Sequence, residues 1–524
     1  MRPLNIYVYV LLLASLSCSF GYNYLMVLHT ASKSHYYVGV SLAKGLLAAG
    51  HEVTLISPFS EQKPIERLRH VPTPEIIRVM GSHIAKLMEN SKLPMVRRLP
   101  MIHGMGLQVT ETFLKEPSVQ ALLQQNKSYD AVICEVFVNE AHFGLAEHFN
   151  APLIALSSFG ASAWTTALVG TPAPPSYVPH NFLQFGDQMT SYERALNFAF
   201  TVYEYIYHQF SYLPQQEQLY RKYFPGNKQD FYDMRKNTAL VLLNQHVSLS
   251  FPRPYAPNMI EVGGMHINRK RQPLPADIEE FINGAEHGVI YFSMGSNLKS
   301  ADLPPQKRQA FINTFRRLKQ RVLWKFEDPN FADKPPNVYI SDWFPQDDIL
   351  SHDKVIAFIT HGGLLSSMES IYHGKPVIGI PIFGDQFLNM ARAEKSGYGI
   401  TVRLAQLTTE SFTDAIERIT NQKSYIEAAK AMSSRFRDQL ETPLERAVFW
   451  VEHVTRQKGA RYLRSAAQNL NIAEYYNLDI IVMFFGGLAF IVFALLFILV
   501  TVVRLLLSRL SSKHKPITNK VKIK

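Results

Sequence analysis

The stretch Val355–Asn389, VIAFITHGGLLSSMESIYHGKPVIGIPIFGDQFLN, admits few folds. An apolar run, Val355 to Ile359, stops at Thr360-His361-Gly362-Gly363, and a segment of helical character then carries Ser366 and Glu369. A second apolar run, Val377 to Ile380, follows, with Asp385-Gln386 beyond it. Strand, glycine turn, helix and strand in that order make a parallel unit whose turns lie at the carboxyl ends of strands, where open α/β sheets bind ligands. The paired glycines let a phosphate approach backbone N–H groups at a helix start. A carboxylate one or two turns into that helix can hold ribose hydroxyls, and Asp385-Gln386 offers acceptors and donors to a sugar.

The amino-terminal half reads as a second unit of the same kind. Leu25 to Leu28 is an apolar strand, Tyr36 to Ala49 has helical periodicity closed by Gly50, and Val53 to Ile56 is another strand. The first turn holds His29, Ser32, Ser34 and His35 instead of a glycine fingerprint, which argues against a dinucleotide site and places an ionisable group at a strand's carboxyl end. His35 is the candidate base, with His29 its rival at the strand end. Tyr129 to Glu135 is a strand ending in a carboxylate, and Glu135 is preferred to Asp130, which begins that strand. Ile76–Asn90 and Met105–Gln125 read as amphipathic helices, Ser158–Phe182 as a proline-rich loop passage, and Ser191–Phe224 as a helical stretch dense in Tyr and Phe. Periodicity disappears in Phe251–Pro275, read as a linker. Val289 to Ser293 is a strand ending at Met294-Gly295-Ser296-Asn297 and entering a helix, a second phosphate-compatible turn whose ordinary reading is a helix cap.

The two ends and the composition place the chain. Residues 1–21 carry one basic residue, Arg2, an apolar core and small residues at 17–19, the pattern of a secretory signal peptide. Ile480 to Val503 is 24 residues without a charge, longer than the ~20 a bilayer-spanning helix needs. The 21 residues after it hold seven Lys or Arg and no acid, so the tail is expected in the cytosol and the bulk on the lumenal side, as a single-pass type I protein. Without those seven and Arg2, the remainder carries 46 basic against 43 acidic residues, so the net charge of +11 calls for no nucleic-acid partner. Lysines at 520 and 522 resemble a dilysine signal for return to the endoplasmic reticulum. Cys18 falls in the signal, which leaves Cys134 alone and no intrachain disulfide. Asn126-Lys127-Ser128 is a glycosylation sequon. No Asp-x-Asp or other metal-ligand spacing occurs, so no metal and no cofactor is expected.

With Trp343-Phe344-Pro345-Gln346 upstream, the segment Trp343–Gln386 closely resembles the donor-binding signature of the UDP-glycosyltransferases, and Leu364-Leu365 resembles the insect branch of that family. The resemblance implies an α/β fold of two doubly wound Rossmann-like domains facing a cleft (GT-B type), plus one C-terminal transmembrane helix. It implies an acceptor domain over 22–250, a linker over 251–275, a UDP-sugar domain over 276–440, closing helices over 441–479, the span at 480–503 and a tail at 504–524. By the same resemblance Trp343 stacks on uracil and Gln346 supports the nucleoside. Ser296, His361, Gly362, Gly363 and Ser366 lie about the diphosphate, Glu369 holds the ribose, and Asp385 and Gln386 hold the sugar. His35 takes the acceptor proton and Glu135 orients it. Two departures stand out: Leu365 replaces a common Asn near the phosphates, and Glu135 replaces the usual Asp, a longer arm that sets the imidazole less tightly. The implied activity is inverting transfer of a hexose, glucose favoured over glucuronate, from UDP to a hydroxyl of a small lipophilic acceptor, in detoxification or endobiotic conjugation. The competing readings are a membrane-anchored, non-catalytic binder of UDP-sugar or small molecules, and a dinucleotide oxidoreductase. Homo-oligomerisation stays open.

Overall fold

A strand covered on both faces has no solvated side and is apolar throughout. Asn23–Val27 (β1) meets that condition, with Tyr24, Leu25, Met26 and Val27 fully buried. The computed structural model describes residues 21–90, 93–267, 271–296 and 298–512. The signal segment and the tail lysines 520 and 522 lie outside the described residues, as does Asn297. β1 belongs to a seven-stranded sheet with Glu52–Ser57 (β2), Leu68–Pro72 (β3), Ala131–Glu135 (β4), Leu153–Ser157 (β5), Thr238–Leu243 (β6) and Met259–Glu261 (β7). The order is β3-β2-β1-β4-β5-β6-β7, parallel throughout. A six-stranded parallel sheet follows: Val289–Ser293 (β8), Arg321–Lys325 (β9), Val338–Ser341 (β10), Val355–Thr360 (β11), Val377–Gly379 (β12) and Gly399–Thr401 (β13), ordered β10-β9-β8-β11-β12-β13. Helices cover both faces of each sheet, giving two apolar clusters per sheet.

Both sheets reverse their winding once, between β1 and β4 and between β8 and β11, and the diverging crossovers open a crevice at those points. Strand register then positions the loops. Val27 lies opposite Cys134, so Glu135 is level with the loop that leaves β1. Ser293 lies opposite Thr360, so the loops after β8 and β11 leave the second sheet side by side.

Three elements differ from the sequence reading. The helix expected over Met105–Gln125 is two helices, Met95–Lys115 and Pro117–Leu123. Pro117 forces the break, because the residue before a proline is pushed out of the helical region, and Glu116 has φ −55°, ψ 128°. Pro100, inside the longer helix, cannot donate to the Val96 carbonyl, and the Tyr203 hydroxyl donates there instead at 2.7 Å. Next, the first sheet does not end before residue 251: Met259–Glu261 inside the expected linker pairs with β6, Val241 opposite Met259, because its short apolar run completes the sheet edge. Finally, β8 does not run straight into a helix. Its loop passes through a short 3₁₀ turn, Ser300–Asp302, and the α-helix begins only at Pro305.

Past the second sheet, Thr442 caps the helix Pro443–Arg456 through a reciprocal bond with Glu445. Its Ala447, Val451 and Val454 pack into the cluster on the Lys33–Ala48 side of the first sheet. Residues 466–512 form a second unit built on the helix Leu478–Ser512. Its stretch Leu478–Leu510 is long and apolar enough to cross a membrane.

Two glycines of the Met95–Lys115 helix test its packing. A Cβ on Gly106 would lie 2.4 Å from the Val138 carbonyl oxygen, whereas one on Gly104 would meet nothing within 4 Å. Gly106→Ala should therefore cost about 1–3 kcal/mol, and Gly104→Ala should stabilise by roughly 0.5–1 kcal/mol. Thermal unfolding of the detergent-solubilised variants measures both, and a lowered midpoint for Gly104→Ala would contradict the packing described.

Candidate functional site

Helix Lys33–Ala48 begins directly after the loop that leaves β1, so His35 sits in its first turn at the carboxyl edge of the first sheet. Its Nδ1 lies 2.5 Å from Glu135 Oε1, at the end of β4. The imidazole is edge-on to Phe159, centroids 5.0 Å apart, and tilted against Phe137 at 5.6 Å. With Nδ1–H donated to the carboxylate, Nε2 is the basic nitrogen.

Glu135 is fully buried but not loosely held. Ser158 Oγ donates to Oε1 at 2.9 Å and the Thr30 N–H to Oε2 at 3.3 Å. The expectation that the longer arm leaves the imidazole less tightly set is thereby corrected: two donors from neighbouring strand-end loops restrain the extra methylene. Burial pushes this carboxyl up, yet the charge and hydrogen bond of His35, with help from His29 and Ser158, bring it down to about 2. His29, the rival base, donates through Nε2 to the Phe137 carbonyl, 3.0 Å away, and burial lowers its pKa. Asp130 is remote, its Oδ2 accepting the Asn23 N–H at the opposite end of the strand.

One cavity of about 550 Å³ is lined by His35 and, from the second sheet, by every sequence-derived donor residue except Gly362. Gly362 acts through the backbone: its φ is +83°, and a Cβ there would meet Met390 at 2.8 Å. Gly363 and Gly295 clamp the His361 ring, which a Cβ on either would strike at 2.6 or 2.4 Å. Burial, reinforced by Lys325, pushes His361 down to about 4, so it is a neutral imidazole. Its Nδ1 is buried with no partner among the described residues.

The residues expected to meet the nucleoside form a connected set. Gln346 Nε2 donates to Ser366 Oγ at 2.9 Å and to Glu369 Oε2. Burial, with Asp347 nearby, pushes the Glu369 carboxyl up to about 8. His266 Nε2 lies 3.6 Å from Glu369 Oε1, but burial holds that imidazole down at about 4, so the two are not an ion pair. Trp343 is 43% exposed, with Lys33 Nζ 4.4 Å from its ring centroid and Tyr37 tilted against it at 6.2 Å. Asp385 Oδ2 accepts from Asn389 Nδ2 at 2.9 Å, and burial raises its pKa against opposing effects that include the charge of His35, which lines the same cavity. Gln386 Oε1 accepts the N–H groups of Ile382 and Phe383 at 2.7 and 3.0 Å, so its carboxamide is fixed with Nε2 left as donor.

Leu365 packs against the first sheet's apolar cluster. Asn126 is exposed in the loop before β4. Sequence reasoning missed Ser158 and Thr30, which hold Glu135, and Lys325, a cavity-lining lysine 2.6 Å from Glu327. Each lies at or just past the carboxyl end of a strand, the one signal that could have found them.

Glu369 carries a pH test. Its folded pKa of about 8 exceeds the ordinary 4.5, so between those values the folded state holds a proton that the unfolded chain lacks, and stability falls as pH rises through that window. Glu369→Gln removes this loss. The variant's unfolding temperature relative to wild type should climb from pH 5 to about pH 8 and level off above it. A pH-independent difference would mean the carboxyl is not held neutral.

The likenesses to other proteins agree with this geometry. A family model described as UDP-glucoronosyl and UDP-glucosyl transferase matches residues 66–515. A Dactylopius coccus protein, UDP-glucosyltransferase 2, is 35% identical over 456 residues, 86% of this chain and 87% of its own. Human UDP-glucuronosyltransferase 2A2 is 33% identical, covering 79% of this chain and 74% of its own. The solved structure of glycosyltransferase VinC in complex with DTDP superposes with a TM-score of 0.56 at 17% identity, over 83% of this chain and all of VinC, a likeness of fold alone.

Proposed function

The chain belongs to the UDP-glucoronosyl and UDP-glucosyl transferase family, and on that premise we propose that it moves a hexose from UDP to a hydroxyl of a small lipophilic acceptor with inversion at the anomeric carbon. The observation that carries this reading is His35, 2.5 Å from the buried Glu135 and lining the same cavity as Asp385, Gln386 and Glu369. His35 Nε2 removes the acceptor proton as the oxygen attacks the anomeric carbon, and the C–O bond to UDP breaks on the opposite face. The imidazolium that forms is stabilised by the ionised Glu135.

The departing diphosphate faces the neutral His361, the Lys325 ammonium and the amides that open helix Leu364–Tyr372. Protein groups thus meet the leaving charge. Trp343 offers its ring to the base, the Gln346–Glu369 pair its polar atoms to the ribose, and Asp385 with Gln386 theirs to the sugar.

Glucose is favoured as the sugar, on the likeness to a UDP-glucosyltransferase and on the Leu364-Leu365 and Asp385-Gln386-Phe387 sequences. The chain works as a type I protein of the endoplasmic reticulum, anchored by Leu478–Leu510 with the catalytic bulk lumenal, and its products are conjugates of foreign or endogenous lipophiles.

Membranes expressing the chain, given lipophilic phenols and either UDP-glucose or UDP-glucuronate, should form product with one donor. His35→Ala should lower kcat by about 10²–10⁴-fold with UDP binding nearly intact; saturable UDP binding without transfer by wild type would leave a binding protein instead. Because Glu135 is held at both oxygens, Glu135→Asp withdraws the carboxylate from its partners and should cost about 10–100-fold in kcat. Wild-type rates in that variant would mean the restraints on Glu135 do not matter to turnover.

A further inference from the structure

The acceptor side of the cavity is walled by two helices. Along Met95–Lys115 the residues that line it are Met95, Arg98, Ile102 and Met105, spaced three and four apart as one helical face. Glu75–Glu89 lines it with Met80, Ile84, Leu87 and Met88. Arg98 is the one charged side chain on these two stripes, and nothing in the periodicity requires a cation there.

Arg98 is also unanswered. Its Nε is buried and has no hydrogen-bond partner, and no carboxylate pairs with its guanidinium among the described residues. Of the four other arginines with a buried, unpartnered Nε, Arg235 stands in the field of Glu140 and Arg392 in that of Asp385, Arg464 donates to Asn237, and Arg253, which also lacks a carboxylate among the described residues, does not line the cavity. Burial pushes the Arg98 guanidinium down from its ordinary value. The other ionisable pair on this wall, His180 and Glu204, is closed on itself, Nε2 to Oε2 at 2.5 Å. A partly desolvated guanidinium beside apolar walls is costly unless an anion meets it, and its planar fork matches a carboxylate through two parallel hydrogen bonds.

Resting on the glycosyl-transfer reading above, we infer that Arg98 determines acceptor specificity by receiving a carboxylate at the end of the acceptor remote from its reacting hydroxyl. The acceptor class is then a lipophilic hydroxy acid. Its apolar body lies between the methionine-rich stripes, its carboxylate is held by Arg98, and its hydroxyl reaches His35. Arg98 touches no reacting atom, so its effect falls on binding.

The test compares 4′-hydroxybiphenyl-4-carboxylic acid with its carboxamide, which keeps shape and hydroxyl but not charge, on the full-length protein in membranes with each UDP-sugar. Wild type should favour the acid in kcat/KM, and Arg98→Met should lower the acid-to-amide ratio about tenfold or more, through KM. Arg98→Lys, which keeps charge but not the fork, should fall between. Equal losses on both compounds, or an unchanged ratio, would overturn the proposal. Equilibrium dialysis of the two compounds against solubilised protein reads the same contrast without turnover. If wild type binds the acid more tightly, and Arg98→Met does not, while no sugar is transferred, the role of Arg98 stands and the transferase reading falls.

Discussion

The ladder between β1 and β4 is the contact on which the site depends. Because Val27 is opposite Cys134, a residue one step further along β4 must emerge beside the loop from β1, and that residue is Glu135. The second sheet repeats the arrangement with Ser293 opposite Thr360, which brings the Gly295 and His361 loops together. Parallel strands allow this because all their carboxyl ends share one edge, and the reversal of winding keeps that edge clear of crossovers. A one-residue slip in either ladder would turn each side chain to the other face and dissolve the site.

Two buried carboxyls, Glu369 lining the cavity and Glu135 behind His35, are driven to opposite protonation states by their neighbours. Glu135 has an imidazole and two donors, so it stays ionised and can offset a positive charge forming on His35. Glu369 has Asp347 nearby and a single amide donor from Gln346, so burial prevails and it is neutral near pH 7. Neutral Glu369 and neutral His361 thus add no fixed charge of their own to the cavity that both line. Opposite environments for like side chains are a recurrent means of assigning acid and base roles.

Much of the fold was legible because buried parallel strands and glycine turns have strong local signatures. β8 is Val289–Ser293 as read, and β11 extends the Val355–Ile359 run by one residue to Thr360. The elements that escaped were those governed by distant partners. Met259–Glu261 is too short to declare itself a strand and becomes one only against β6. Met95–Lys115 keeps Pro100 because Tyr203, more than a hundred residues away, supplies the missing donor to Val96.

The sequence by itself determined the residue types at each strand end: a histidine and a carboxylate in one half, a histidine, glycines, a carboxylate and an Asp-Gln pair in the other. That information is local, since side-chain chemistry and turn geometry need only neighbouring residues. Tertiary structure alone decided that these ends open on one cavity, that Ser158 and Thr30 pin Glu135, that Glu369 is neutral, and that Arg98 lines an apolar wall without a counter-ion among the described residues. Protonation and pairing depend on burial and on charges brought near by the fold, and neither is written in the order of residues along the chain.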